Sequence, residues 1–572
     1  MSVRDDGGKR RDGASRLGQA GPRPERVADE LGANGGEVEG DGSGDGPAPE
    51  RPYASTVREW LAGAPLDPLT HKFLGLLLPA AIALGHMWRV RAYTVDDAFI
   101  SFRYARNLAR GLGLVYNPGE RVEGYTNFLW TLLLSGGIKL GLDPEPLAKE
   151  LGAIAAIGAM ALTYALAARL RPLGAVPCVA TWLLASTGAF AGYAVFGMEA
   201  PLFTCLVLGG TLLFHREEDR GARFPWSGLV FALAGLTRPE APLYLGVLML
   251  ALGGLRLLFV PRRMFEPRNV LRAALFLGPL GAHLCWRRWY YGAWLPNTFV
   301  AKTGDLDQQI RGGWQYLSDY LTHAGPVLYL ALGGLAAGLV WRQRELLAYA
   351  AIALLGGIYI VLVGGDWMPL FRFVVPLEQF LFLLVCHGVR SLVEQRRRVA
   401  NVALFLFALL AVYQRASIMR EDRIRIVRRE KAFWDRAAGG TARLLLDKGE
   451  PGTIAMGDIG YIGYATDFPV LDLLGLLDPL IAQQPGGYTR KIGAGYRNRF
   501  FERAPRYFLL VSAENDCAHP SVPGSIALFN DRRFAQRYAE SGRVRLDGGF
   551  SWCIYERRDV RRAGAPEQEA LH

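Results

Sequence analysis

Cysteine is scarce, with six in 572 residues. Cys178, Cys205, Cys285 and Cys386 fall in apolar blocks without metal-ligand spacing, so they read as packing residues. No GxGxxG, P-loop, HExxH or paired CxxC pattern occurs in a usable setting. The glycine loops that cradle nucleotides and the paired histidines of zinc hydrolases are therefore excluded. No charged-then-apolar leader begins at Met1, so the first apolar block, from about Phe73 to Trp88, is expected to stay as an anchor. Acids are outnumbered, 53 against 65 Lys plus Arg, for a net charge of +12. The arginines sit in short connections between apolar blocks, the pattern of membrane orientation, so no nucleic-acid partner is expected.

What the chain has in abundance is apolar length. It is 51% hydrophobic, with mean hydropathy +0.13. After the first block, apolar stretches run roughly 147–168, 173–193, 200–215, 225–237, 241–258, 270–289, 325–341, 346–364, 372–392 and 399–415. Most approach the 17 to 25 residues of a membrane-crossing helix. The expected fold is a polytopic α-helical membrane protein of about eleven spans, its transmembrane domain covering 71–415. Residues 1–70 are rich in Gly, Pro and charge and are expected to be a disordered cytoplasmic tail, and the last residues, 561–572, a disordered tail after the C-terminal domain. From 416 to 560, short apolar runs (Thr453–Ala455, Val470–Leu474, Tyr507–Ser512, Trp552–Tyr555) alternate with helical stretches such as Lys431–Leu446, the pattern of an α/β domain.

Charge parity sets the topology. If Thr126–Leu142 spans fully, the loop of Arg169 and Arg171, the Arg256–Arg272 connection (Arg256, Arg262, Arg263, Arg268, Arg272) and Arg396–Arg398 share a side with Asp96. If it enters and leaves on one side, all these clusters face the cytoplasm together. The Ser135-Gly136-Gly137 break suits the second choice, a re-entrant or interfacial helix. The N-terminus is then cytoplasmic and the C-terminal domain extracytoplasmic, in a bacterial inner membrane. Cys517 and Cys553 in that domain are a candidate disulfide. Asp96, Asp97, Glu199, Arg238, Glu240, the 290–324 loop and Asp366 converge on the outer side.

The densest polar signal is Thr94-Val95-Asp96-Asp97, opening an amphipathic helix. Adjacent carboxylates raise each other's pKa and suit proton transfer or cation binding, whereas the bland alternative is a helix cap. Arg372 at the mouth of a span fits a phosphate bidentately, or snorkels to the interface. Lys302, Arg287 and Arg288 are similar candidates. Arg238 and Glu240 read as functional or mutually paired. Asp366 binds a sugar hydroxyl or pairs with Arg372. Asp458 and Asp472, beside glycine turns, are turn formers or substrate contacts.

The run from Asp96-Asp97-Ala98-Phe99-Ile100-Ser101-Phe102-Arg103 to Gly124-Tyr125-Thr126-Asn127 resembles the first external loop of GT-C glycosyltransferases. The nearest branch is the mycobacterial terminal β-(1→2) arabinofuranosyltransferase group and related bacterial proteins. Gly197-Met198-Glu199-Ala200-Pro201, Thr237-Arg238-Pro239-Glu240, Leu295-Pro296-Asn297-Thr298-Phe299, Gly364-Gly365-Asp366-Trp367, Phe371-Arg372-Phe373, Gly457-Asp458-Ile459-Gly460 and Asp472-Leu473-Leu474-Gly475 continue the match in order. The resemblance implies a GT-C fold, a polyprenyl-phosphate sugar donor, a glycan or glycolipid acceptor, and transfer on the outer face of the membrane. It implies an acidic catalytic residue at Asp96 or Asp97, which the sequence does not separate. Arg103, Glu123, Tyr125, Asn127, Glu199, Arg238, Glu240, Asn297, Lys302, Asp366, Arg372, Asp458 and Asp472 are the candidate substrate contacts. A divalent cation, Mg or Mn, is left open, with Asp96, Asp97 and Glu199 as the acids to hold it. A glycolipid transporter is the other reading; it predicts inverted repeats, and no convincing repeat is present.

Overall fold

Helix α1 (Pro68–Lys72) runs through a π turn (Phe73–Leu77) into α2 (Leu78–Val90), in a computed structural model that describes residues 66–170, 178–253, 266–303, 305–340, 343–395 and 427–563, with a few isolated positions besides. Helices α3 (Asp96–Ala109), α4 (Phe128–Lys139) and α5 (Pro144–Leu170) follow. Next come α6 (Val179–Ala185), α7 (Gly188–Tyr193), α8 (Ala200–Arg220), α9 (Trp226–Thr237) and α10 (Ala241–Gly253). The helical part closes with α11 (Pro267–Tyr291), α12 (Asn297–Lys302), α13 (Leu306–Ala324), α14 (Pro326–Val340), α15 (Arg344–Val363) and α16 (Val375–Gln395).

Three of these, Pro68–Val90, Pro144–Leu170 and Arg344–Val363, are long and apolar enough to cross a membrane by length and composition. α13 and α14 together make a fourth candidate, bent by 92°. The expected span at 173–193 is instead two short helices, α6 and α7, with 171–177 outside the described residues. The expected span at 399–415 lies outside them too, except for Tyr413, as do most of the 1–70 tail and the cluster Arg396–Arg398. Of the terminal tail expected from 561, residues 561–563 belong to α23, introduced below, and the rest lie outside the described residues.

Helix α4 has 12 residues, about 18 Å at 1.5 Å per residue, well short of a hydrocarbon core of about 30 Å. It runs unbroken through Ser135-Gly136-Gly137, where a break is expected from the sequence. Gly137 serves packing instead: a Cβ there would overlap the Leu147 side chain of α5.

The bundle has two chemically distinct ends. At one, Arg169 on the last turn of α5 pairs with Asp219 of α8 and Glu345 of α15, while Arg272 of α11 reaches Glu217 and Glu218. The basic residues grouped on one side by charge parity thus share that end, so far as they are described. Glu145, Glu199 and Gly364 mark the opposite ends of α5, α8 and α15.

The C-terminal domain begins with α17 (Arg428–Asp447) and continues β1 (Ile454–Met456), α18 (Tyr461–Thr466), β2 (Val470–Asp472), α19 (Pro479–Ala482), α20 (Ala494–Arg503), β3 (Tyr507–Ser512), α21 (Pro523–Phe529), α22 (Arg532–Arg537), β4 (Tyr538–Arg545), β5 (Ser551–Arg557) and α23 (Arg558–Ala563). Its sheet has the order β2-β1-β3-β5-β4, parallel across β2, β1 and β3 and antiparallel across β3, β5 and β4. Side chains alternate across a strand, so Ile454, Met456, Trp552 and Ile554 line one core and Ala455, Cys553 and Tyr555 the other. Cys517 and Cys553 are joined by a disulfide, with Cα atoms 5.8 Å apart.

Helix α3 is the layer between the two parts. Ala98, Phe102 and Ala105, with Phe99, pack into the core of the helical bundle. Ile100 and Tyr104, one turn apart, pack into the first core of the C-terminal domain. A helix clamped on two sides buries nearly every residue, which explains a buried arginine in its middle. Arg103 is 0% exposed and donates to the carbonyls of Tyr116, Gly463 and Phe468. Five fixed donors in a planar fork can satisfy several carbonyls at once.

Candidate active site

The first turn of α3 separates the two aspartates. The N-cap residue is Val95, which makes no side-chain cap, so neither Asp takes the capping position. Asp96 reaches the C-terminal domain, accepting the Gly460 N–H at 3.0 Å and the Tyr461 N–H at 2.8 Å. Gly460 is required there, because any Cβ would collide with the Asp96 backbone and carboxylate oxygens. Burial, with the charges of Asp458 and Asp97 added, pushes the Asp96 carboxyl up to about 7 against the pull of those two N–H groups.

Asp97 is only partly buried and makes no side-chain hydrogen bond among the described residues. One position along a helix turns a side chain by about 100°, which points Asp97 away from Asp96 and into a different group of charges. Burial raises its pKa, while the cations Lys302 and Arg372 lower it and the carboxylates Asp366 and Glu199 oppose them. Asp458, from the loop after β1, faces Asp97 from the C-terminal domain. Burial and the charge of Asp97 push Asp458 up to about 6.

Each partner is placed by its own element. Lys302 ends α12, which is pinned at its start by Asn297, whose side-chain amide donates to the carbonyls of Gly475 and Leu476. Arg372 forms an ion pair with Asp366, Nε to Oδ2 2.7 Å, both side chains at most 7% exposed. Their loop is strained: Leu370 and Phe371 both hold positive φ, 65° and 54°. Consecutive non-glycine residues in that region cost of order 1–3 kcal/mol each and persist only where the surroundings enforce them. Tyr193, donating to the Pro369 carbonyl, and the Tyr316 hydroxyl, accepting the Phe373 N–H, supply that enforcement.

Glu199 is buried and doubly engaged, with Arg238 Nη1 at 2.9 Å and Asn127 Nδ2 at 3.0 Å. Arg238 also holds Glu240. These residues form one polar chain in which Arg238 is shared by two acids. Asp96, Asp97 and Glu199 therefore do not present three free carboxylates to a cation: Asp96 is held by backbone amides and Glu199 by Arg238 and Asn127. Among the described residues, the three metal-ligand side chains that come together are Glu514, Asp516 and His519, on the surface of the C-terminal domain.

Several of the candidate contacts are engaged with other parts of the chain. Arg103 and Asn297 join the two parts of the protein. Glu123 is paired with Arg287, 2.6 Å, and the Tyr125 and Tyr291 hydroxyls lie 3.3 Å apart. Asp472 accepts the N–H groups of Leu474 and Leu477, closing the turn after β2. Tyr488 is a site neighbour that the sequence did not point to. It feels the charges of Asp97, Asp458 and Asp366 and lies under the Lys302 ammonium, 5.2 Å from its ring centroid. A tyrosine after two glycines in a loop carries no signal of its own.

Residues 426–555 match a family model described only as a domain of unknown function, DUF8728. A terminal β-(1→2)-arabinofuranosyltransferase of Corynebacterium glutamicum is 29% identical over 390 residues, 58% of this chain and 54% of the relative. The enzyme of the same name from Mycobacterium tuberculosis is 29% identical over 256 residues, 39% of this chain and 37% of the relative. The chain thus spans about half, or less, of these curated relatives. Among solved structures, ArnT of Cupriavidus metallidurans bound to undecaprenyl phosphate superposes with TM-score 0.55 at 12% identity, covering 84% of this chain and 97% of ArnT. At that identity the likeness speaks for fold. This chain shares its fold with ArnT, and its sequence is related to two proteins that are named terminal β-(1→2)-arabinofuranosyltransferases.

Proposed function

We propose that the protein is a glycosyltransferase that moves a sugar from a polyprenyl-phosphate donor to a cell-envelope glycan, glycolipid or protein acceptor, with Asp97 as the general base. The observation that carries this reading is the state of Asp97. Among the described residues, it is the carboxylate of the adjacent pair that no N–H or arginine claims, and Lys302 and Arg372 face it.

The chemistry follows from that arrangement. The Asp97 carboxylate takes the proton of an acceptor hydroxyl as its oxygen attacks the anomeric carbon. The bond from that carbon to the phosphate oxygen breaks, and the electron pair leaves with the polyprenyl phosphate. Lys302 and Arg372 offset the charge that develops on the departing phosphate, where a preorganised cation is worth most. A single displacement of this kind inverts the anomeric centre. Arg372 is kept in place by Asp366, so that pair reads as a positioned phosphate contact rather than an idle salt bridge.

The named relatives support an arabinofuranosyl donor for this chain, and ArnT, solved with undecaprenyl phosphate, supports a lipid-phosphate carrier. The N-terminus is cytoplasmic in this reading, and the site and the C-terminal domain lie on the outer face of a bacterial inner membrane. The grouping of Arg169, Arg268 and Arg272 at the far end of the bundle from Asp97 favours that orientation. Neither the named relatives nor ArnT lends support to the transporter reading.

The deciding experiment incubates purified protein with radiolabelled polyprenyl-phosphate sugars, an arabinofuranosyl one among them, and an envelope glycan fraction. The expected result is transfer of one label, abolished in Asp97→Asn. Consumption of no donor, or full turnover by Asp97→Asn, overturns the reading.

A further inference from the structure

Beside the first turn of α3, lined by Asp96 but not by Asp97, lies a cavity of about 550 Å³. It falls within the roughly 300–1,000 Å³ typical of ligand sites. Its walls come from five places: the α2–α3 connection, the first turn of α3, the start of α5, one face of α17 and the start of α18. It therefore straddles the helical part and the C-terminal domain.

The lining combines flat rings with hydrogen-bonding groups. Trp434 stands on α17 and Tyr461 begins α18, with Tyr93 and Phe99 completing the aromatic wall. Tyr93 is 2% exposed, and its hydroxyl has no hydrogen-bond partner among the described residues. Charged groups of both signs line the rest: Glu145 and Asp435 against Lys431 and Arg443. Lys431 and Asp435 pair with each other across one helical turn at an exposed site. Such pairs are worth about 1 kcal/mol or less and open easily to other partners. The fifth charge, Asp96, is occupied by the Gly460 and Tyr461 amides.

With Asp96 held by backbone amides, Glu145 paired with Lys149 and Lys431 paired with Asp435, the lining carries no strong excess of either sign. Aromatic faces beside donors and acceptors suit a neutral polyol ring, which offers apolar C–H faces and hydroxyl edges. We propose that this cleft binds a neutral oligosaccharide stretch of the acceptor, away from the hydroxyl that reacts at Asp97. The proposal rests on the glycosyltransferase reading for its biological sense, but its geometry is separate from the Asp97 cluster. The C-terminal domain then senses acceptor length, because α17 supplies Lys431, Trp434, Asp435 and Arg443 to the cleft.

The test applies the full-length protein in detergent to an array of neutral and acidic envelope oligosaccharides, followed by kinetics with a short and a long acceptor. Wild type and Asp97→Asn are expected to capture the same neutral oligosaccharides. Trp434→Ala and the surface double variant Lys431→Ala/Asp435→Ala are each expected to weaken capture tenfold or more. They are also expected to raise KM for the long acceptor while leaving kcat on the short one unchanged. The double variant alters only exposed or half-exposed side chains, so it guards against misfolding at Trp434, which also packs near Trp552. Capture of no oligosaccharide, preference for acidic ones, or capture unchanged in the double variant overturns the proposal. Cleft-dependent capture by a protein that transfers no sugar would sink the catalytic reading and leave this one standing.

Discussion

The Asp96 carboxylate accepts the Tyr461 backbone N–H at 2.8 Å, so a residue at the start of a helix in the first part of the chain anchors a helix 365 residues later. That contact divides the roles of two neighbouring aspartates. Asp96 holds the C-terminal domain against α3, and Asp97 is the base of the proposed mechanism. Asp97→Asn is expected to lower turnover by about 10²–10⁴-fold, the range for loss of a general base, with the melting temperature unchanged. Asp96→Ala leaves two buried N–H groups unpaired, at about 1–3 kcal/mol each, and is expected to lower the melting temperature first. Activity assays alongside thermal unfolding separate the two outcomes; the reverse pattern would swap the assignments.

The pH–rate profile reads Asp97 directly. A base works only when deprotonated, so kcat/KM should fall as pH drops through its pKa. Because burial raises that pKa, the acidic limb should lie above the ordinary carboxylate range near 4. Lys302→Gln removes a cation that lowers it, so the limb should move to still higher pH. A limb that stays put in Lys302→Gln argues against Lys302 facing Asp97.

Stability should follow the opposite logic to that of a salt-bridged acid. Burial pushes Asp96 and Asp472 up to about 7 and Asp458 up to about 6, so the folded state holds protons that the unfolded chain releases near pH 4. Their contribution is full below about pH 4 and is lost as pH rises through 6 to 7. Melting of the C-terminal domain is expected to occur at higher temperature at pH 5 than at pH 8. Asp472→Asn should flatten that dependence. A midpoint that climbs steadily from pH 5 to pH 8 would contradict it.

Arg103 satisfies three carbonyls on two parts of the chain. Replacing it with Met keeps much of the length but strands them, at a cost of at least about 3 kcal/mol by the same accounting. Limited proteolysis should release the C-terminal domain from Arg103→Met faster than from wild type. Equal cleavage rates would show the interface to be held elsewhere.

Divalent cation dependence is also measurable. Of the three acids that could hold a metal, only Asp97 lacks a protein hydrogen-bond partner among the described residues, and its neighbours include Lys302 and Arg372. Turnover is expected to survive EDTA within about twofold, since cations already face the reacting group. Loss on chelation, restored by Mg²⁺ or Mn²⁺, would require those side chains to rearrange.

The order of apolar blocks, the start of α3 and most strands of the C-terminal sheet are legible in the sequence, because hydrophobic periodicity is a local property. So is the grouping of Arg169, Arg268 and Arg272, the described members of the basic clusters, at one end of the bundle. Two local readings differ from the structure. The Ser135-Gly136-Gly137 stretch is continuous helix, with the Leu147 side chain seated against Gly137, and the described part of the 173–193 block is two short helices.

Which aspartate is free was beyond the sequence. Asp96 and Asp97 have the same side chain and adjacent positions, and what separates them is a turn of about 100° on a helix wedged between two domains. That turn places one carboxylate against backbone amides from residues 460 and 461 and the other among Lys302, Arg372 and Asp458. The same holds for Asp472, Asn297 and Arg103, whose polar side chains look alike in sequence whether they meet a substrate or a carbonyl. Local sequence chose the helices and supplied the acids; only contacts across hundreds of residues decided which acid was left without a partner.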